Sequence, residues 1–279
     1  MMSVATCGTV SVTALGLPDS IAIPAAKGTL PKAAFVGKSL ISAKLKAHLV
    51  NDVASITLLG LLRPANAGVA DGVRVHEILV LGLRLNGAGA KVPEDVVEHI
   101  AAQRKGGILF VCVRDRTDSP AKADAKAGSP AGKPAQSSQS SKPSRSDRPV
   151  QSAQPSQPVQ PGEQCALAVR RRIPGRAGHV EHFSIYTGEW QDPADMLVEL
   201  EGTTMDEVWD GLCSQVILGS ADHADLDERI ARRDLIAALE ADEARLAGDH
   251  ARAKDPAKRN EAFAKLAKVR AQLKQLRTQ

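Results

Sequence analysis

The chain reads Ile108-Leu109-Phe110-Val111-Cys112-Val113, crosses a long tract dominated by Ala, Ser, Pro, Gln, Gly and Lys, and resumes as Cys165-Ala166-Leu167-Ala168-Val169-Arg170-Arg171-Arg172-Ile173. Both flanking runs are short, apolar and rich in β-branched residues, which predicts strands. Isolated strands with apolar faces need partners, so the runs on either side complete one sheet, and the tract is an insert within a domain, not a linker between two. The tract, residues 116–164, has no periodicity and almost no large apolar side chain. It cannot bury enough surface to offset its ordering entropy and is expected to be disordered.

Upstream, Ser39 to Leu49 places Leu40, Ile41, Lys44, Leu45 and His48 at helical spacing with Ser39 as N-cap, and Ser55 to Leu62 follows as a strand ended by Pro64. Asn66, Gly68 and Asp71-Gly72 are turn residues leading into a second strand, Arg74 to Leu85, so the pair predicts a hairpin. Apolar residues of both parities in that strand (Leu79, Leu81 and Leu83 against Ile78 and Val80) predict burial on both faces. Pro93, Glu94 and Asp95 open a helix carrying Val96, Val97 and Ile100, which ends at Gly106-Gly107. Residues 1–28 contain Pro18 and Pro24 and read as a loosely attached arm.

Downstream of the insert, Glu181 to Thr187 reads as a strand joined to Cys165–Ile173 through Pro174-Gly175, and Thr204 to Leu218 as a core helix. The tail reads as a helical hairpin. Its first helix carries Leu226, Ile230, Leu235, Leu239 and Leu246 and ends at Gly248, and its second starts at Asp255-Pro256. There Leu266, Val269, Leu273 and Leu276 follow a coiled-coil spacing and are the candidate protein-binding residues. The expected architecture is α/β (α+β). It comprises an arm (1–28), two halves of a single mixed sheet of about five strands with flanking helices (29–115 and 165–220), the disordered insert (116–164) and the C-terminal helical hairpin (221–279).

Composition narrows the function. The 279 residues carry a net charge of +4, and the insert's Arg116, Lys122, Lys126, Lys133, Lys142, Arg145 and Arg148 supply most of it, which argues against a dedicated duplex-binding protein. Cys7, Cys112, Cys165 and Cys213 form no C-x-x-C pair and read as reduced, buried thiols. No apolar run is long enough to span a membrane and the N-terminus lacks a secretory pattern, so the expected location is cytoplasmic, without membrane association.

Few residues suggest chemistry. Glu77 is the weak catalytic candidate for a metal-dependent nuclease, but its strand continues Leu81-Gly82-Leu83-Arg84 without a second acid. His179 and His182 flank Glu181 in an H-x-x-H spacing that lacks further ligands, so neither a metal nor a cofactor is expected. Arg170, Arg172 and Arg176 are the candidate nucleic-acid-binding residues, the other reading being charge that protects an edge strand from aggregation. On a strand Arg170 and Arg172 share one face, whereas Arg171 falls on the parity of Leu167, Val169 and Ile173 and is the anomaly.

Leu30-Pro31-Lys32, Ala43-Lys44-Leu45-Lys46, the two-strand stretch Ile56 to Leu85, Ile108-Leu109-Phe110-Val111, Tyr186-Thr187-Gly188-Glu189-Trp190 and the Leu200 to Val216 segment together resemble a bacterial family described as domain of unknown function 4391. The resemblance covers Leu30 to the C-terminal helices and supplies no catalytic residue. It implies proteins encoded near helicases and DNA methyltransferases in restriction or phage-defence loci. The leading expectation is therefore a non-enzymatic accessory or interaction protein of a DNA-processing or defence assembly, docking a protein partner through its C-terminal helices. The alternatives are a divergent nuclease and a nucleic-acid-binding module.

Overall fold

A computed structural model describes residues 3–36, 41–117, 162–173 and 182–278. In chain order it contains α1 (Ala25–Gly28), β1 (Thr29–Leu30), α2 (Ala33–Val36), α3 (Ala43–Asn51), β2 (Val53–Leu62), α4 (Pro64–Ala67), β3 (Ile78–Leu85), α5 (Glu94–Ala102), β4 (Gly107–Asp115), β5 (Glu163–Ile173), β6 (His182–Thr187), α6 (Met205–Leu218), α7 (Leu226–Arg252) and α8 (Pro256–Thr278). The six strands form one sheet in sequence order, one more than expected, because the short β1 pairs with β2. All neighbours are antiparallel except β3 and β4, which are parallel and connected through α5. The fold class is mixed α+β with a helical pair at the C-terminus.

β4 and β5 are direct neighbours, pairing from Leu109↔Val169 to Asp115↔Glu163. The chain therefore leaves and re-enters the sheet at one place, where the Arg116 amide donates to the Gly162 carbonyl at 2.7 Å. Glu163 and Gln164, assigned above to the insert, belong to β5. The rest of the expected disordered segment, from 118 to 161, lies outside the described residues, as do Ser39, Arg176, His179 and the Pro174-Gly175 turn.

Period-2 burial gives the sheet two cores. One face carries Ile78, Val80, Leu109, Val111, Leu167 and Val169 against α6 and the start of α7. The other carries Leu79, Leu81, Leu83, Ile108, Phe110 and Ala168 against α3 and α5. The hairpin of β2 and β3 and the double burial of β3 are as expected, although β3 starts at Ile78, not Arg74. α3 is capped by the Ser42 hydroxyl, which accepts from the Leu45 amide at 3.1 Å.

The N-terminal segment corrects the loose-arm expectation. Cys7, Val10, Val12, Leu15, Leu17 and Ile21 are buried and belong to the first core. They lie flat on the sheet because β2 and β3 offer glycines beneath them: a Cβ on Gly82 would stand 2.5 Å from that of Cys7, and one on Gly60 2.8 Å from Val12. Pro18 and Pro24 suggested an arm, but the glycines of β2 and β3 allow the segment to approach the sheet closely.

At the other end α7 runs past Gly248 to Arg252, because one glycine costs a long helix only about 1 kcal/mol. α7 and α8 pack antiparallel, with Arg270 bonded to Glu243 at 2.8 Å and Arg277 to Glu240 at 2.6 Å. No helix among the described residues is long and apolar enough to cross a membrane.

Candidate nucleic-acid interface

β5 supplies the residues around which a site forms. Its alternation sends Arg171 to the α6 side and Arg170 and Arg172 to the α5 side. Arg171 is 6 % exposed and donates to Asp210 of α6 and Asp227 of α7, each at 2.7 Å. Burial opposes its charge, but the bonds to Asp210 and Asp227 and the Asp210 charge outweigh burial and hold its pKa above the ordinary arginine value. The anomalous arginine is thus the bolt between sheet and C-terminal helices. The interior position of β5 also removes the edge-protection reading, since the edges are β1 and β6.

On the opposite face Arg172 stands across from Phe183 of β6, and the Arg170 guanidinium lies 3.5 Å from the centroid of the Phe183 ring. Arg170 Nε also donates to both carboxylate oxygens of Glu98 on α5 at 2.8 Å, which fixes the guanidinium plane. Here α5 ends, and among the described residues no helix continues over this end of the sheet. The result is a cleft of about 320 Å³ whose walls include Arg74, Arg104, Lys105, Arg170, Arg172 and Phe183. Trp209 forms part of the lining, its ring pressed so closely on β4 that a Cβ at Gly107 would stand 2.6 Å from it.

The charges on this cleft are unequal. Arg170 is paired with Glu98, and Arg74 with Asp210 at 2.8 Å. Arg104 and Lys105 are exposed and have no salt-bridge partner among the described residues. Arg74 is placed by Asp206 at the start of α6, whose carboxylate accepts from the amides of Val73, Arg74 and Val75 at 2.8–3.2 Å. Desolvation would raise the Asp206 pKa, but these amide bonds prevail and hold it below the ordinary carboxylate value.

Of the residues singled out from the sequence, Arg170 and Arg172 line this cleft; Arg74, Arg104, Lys105 and Phe183, which line it with them, were not singled out. The available signal was the basic pair after α5, which reads as an ordinary complement to the negative end of a helix. Arg176 lies outside the described residues.

The remaining candidates do not join this cleft as an active centre. Glu77 precedes β3 and pairs with Arg63 at 3.2 Å; it lines an adjoining cleft of about 400 Å³ with Arg74, Arg104 and Lys105, and no group of three or more metal-ligating side chains occurs among the described residues. His182 is exposed at the start of β6. A larger cleft, about 570 Å³, opens beside α3 and the start of α5, where His48 Nδ1 lies 2.6 Å from Asp95 Oδ2. Its lining mixes Lys44 and Lys91 with Asp52, Glu94 and Asp95, so it offers no surface of one sign. Burial pushes the thiols of Cys7 and Cys213 up to about 12 and that of Cys165 up to about 11, which keeps them protonated near neutrality.

Leu266 and Leu273 are buried, and Val269 and Leu276 half-buried, along the helix that packs on α7. Arg232 of α7 also bonds the Leu276 carbonyl. The hairpin uses this stripe internally, leaving Leu235 and Phe263 as its exposed large apolar side chains.

A family model described as domain of unknown function (DUF4391) matches residues 15–130 and 153–273. The chain belongs to that family. The match begins inside the N-terminal segment, in keeping with its packing on the sheet. No curated protein and no solved structure matches the chain.

Proposed function

We propose that this member of the DUF4391 family is a non-enzymatic, nucleic-acid-binding accessory protein, and that the cleft between α5, β5 and β6 is its binding surface. One observation carries the reading: Arg104 and Lys105, which have no ion-pair partner among the described residues, stand in one concave site with Arg74, Arg170, Arg172 and an exposed aromatic ring. Phosphate contacts of this kind supply affinity without requiring a basic molecule overall, which fits a net charge of only +4. Membership of a DNA-processing or phage-defence assembly, which the resemblance implies, suits such a subunit. A partner would meet the hairpin at Leu235 and Phe263, since the Leu266 and Leu273 stripe is already covered.

The test is binding of a labelled oligonucleotide as salt is raised. Affinity should fall steeply, and the double variant Arg104→Ala/Lys105→Ala should weaken binding roughly tenfold at about 50 mM salt and flatten the logarithmic salt slope by about 1.4, near 0.7 per lost phosphate contact on a single strand. Lys258→Ala/Arg259→Ala on α8 should change neither. Absence of binding, or a double variant indistinguishable from the parent, contradicts the proposal.

A further inference from the structure

Resting on the nucleic-acid reading above, we infer that the cleft takes a single strand with a base stacked on Phe183, and does not take an intact duplex. Three observations lead there. Phe183 is 47 % exposed as a residue, although the chain has only seven Phe, Trp and Tyr residues in all. Two of those seven, Phe183 and Trp209, line this one cleft. The third observation is the Arg170 guanidinium lying 3.5 Å from the ring centroid, anchored behind by Glu98.

This is the construction of a stacking platform. An aromatic ring alone on an edge strand rotates and loses contact area on binding, whereas a ring backed by a fixed cationic plane is already in position when a base arrives. Every base has a π-face, so the platform accepts bases without reading their edges. Arg104 and Lys105 then lie on the neighbouring wall, where a phosphate of the same strand can be met.

The shape of the described cleft argues against the duplex. The cleft holds about 320 Å³, the scale of a pocket for one small ligand. A paired base is stacked on both faces by its neighbours, and its backbone presents a convex surface that cannot bring a ring face to the floor of such a cleft. Among the described residues no helix projects from the site toward a major groove, since α5 terminates there and β5 and β6 are held in the sheet. A strand with unpaired bases satisfies both the ring and the charges.

The experiment compares a single-stranded oligonucleotide, the same strand made abasic throughout, and the duplex, each offered to the full chain and to Phe183→Ala. DNA and RNA versions of the strand show which sugar is preferred. The expected result is about tenfold weaker binding of the abasic strand and of the duplex than of the single strand. Phe183→Ala should reduce the single strand to the abasic level and leave abasic binding unchanged, while Phe183→Trp restores it. Equal binding of intact and abasic strands, both lowered by Arg104→Ala/Lys105→Ala, overturns the stacking inference and leaves the electrostatic reading standing. No binding of any strand overturns both. The abasic comparison uses the unaltered protein, so it decides the question even if Phe183→Ala folds poorly.

Discussion

Arg171 and Asp206 do structural work that makes the cleft possible. Arg171 ties β5 to Asp210 and Asp227, and Asp206 collects three amides of the 73–75 loop that presents Arg74. Removing one member of a buried charged pair leaves the other uncompensated. Arg171→Ala is expected to cost about 2–3 kcal/mol of stability in urea unfolding, charge-assisted hydrogen bonds being worth about that much here. A loss below ~0.5 kcal/mol, the size of an ordinary surface substitution, would show that the bolt is idle. Asp206 adds a pH dependence. Its folded pKa lies below the ordinary 3.8, so its contribution is fully present above the unfolded-state value and is lost as pH falls through the lowered folded value. Thermal unfolding below pH 4 should therefore be less acid-sensitive in Asp206→Asn than in the parent, and parallel acid profiles would refute this assignment. At this scale the sequence was informative where parity decides: Arg171 stood out among Leu167, Val169 and Ile173 because a strand alternates. Its partners did not, because Asp210 and Asp227 lie far along the chain and nothing local marks them.

Among the elements, the N-terminal segment was least legible. Helices α5 and α6 and strands β2 to β5 announce themselves through periodicity, caps and apolar runs. Residues 3–28 offer only a short alternation before Pro18 and Pro24, because their packing rests on glycines in other strands, and Gly82 or Gly60 read alone signals only a weak strand position. If the segment is integral, Gly82→Ala should destabilise the protein by about 1–3 kcal/mol through its collision with Cys7, as overpacking does elsewhere. A neutral substitution would mean that the segment lifts away freely. The tail shows the opposite limit. Its leucine stripe predicted a helical pair correctly but could not say whether α8 meets α7 or a partner, since one apolar stripe serves either. The basic cleft was half legible for the same reason: β5 carries its arginines in one run, whereas Arg74, Arg104 and Phe183 converge only when α5 stops short of β6.

For the whole molecule, the sheet joins the halves of the sequence at β4 and β5. The Asp115↔Glu163 pair and the Arg116 to Gly162 hydrogen bond bring the ends of the intervening segment together, so a tight turn can replace it. A chain with residues 118–161 replaced by a short Gly-containing turn should unfold in one cooperative transition with a midpoint no lower than the parent's, read by circular dichroism. Loss of cooperativity would mean that the segment holds the halves together. The same replacement removes Lys122, Lys126, Lys133, Lys142, Arg145 and Arg148, and so separates their attraction for nucleic acid from that of the cleft. The most direct test of the account uses the full chain and a single strand bearing a photoreactive thymine analogue, cross-linked and mapped by mass spectrometry. The account predicts adducts at Phe183 and in the peptide spanning Ala101 to Ile108. Adducts confined to residues 118–161 or to α8 would contradict it.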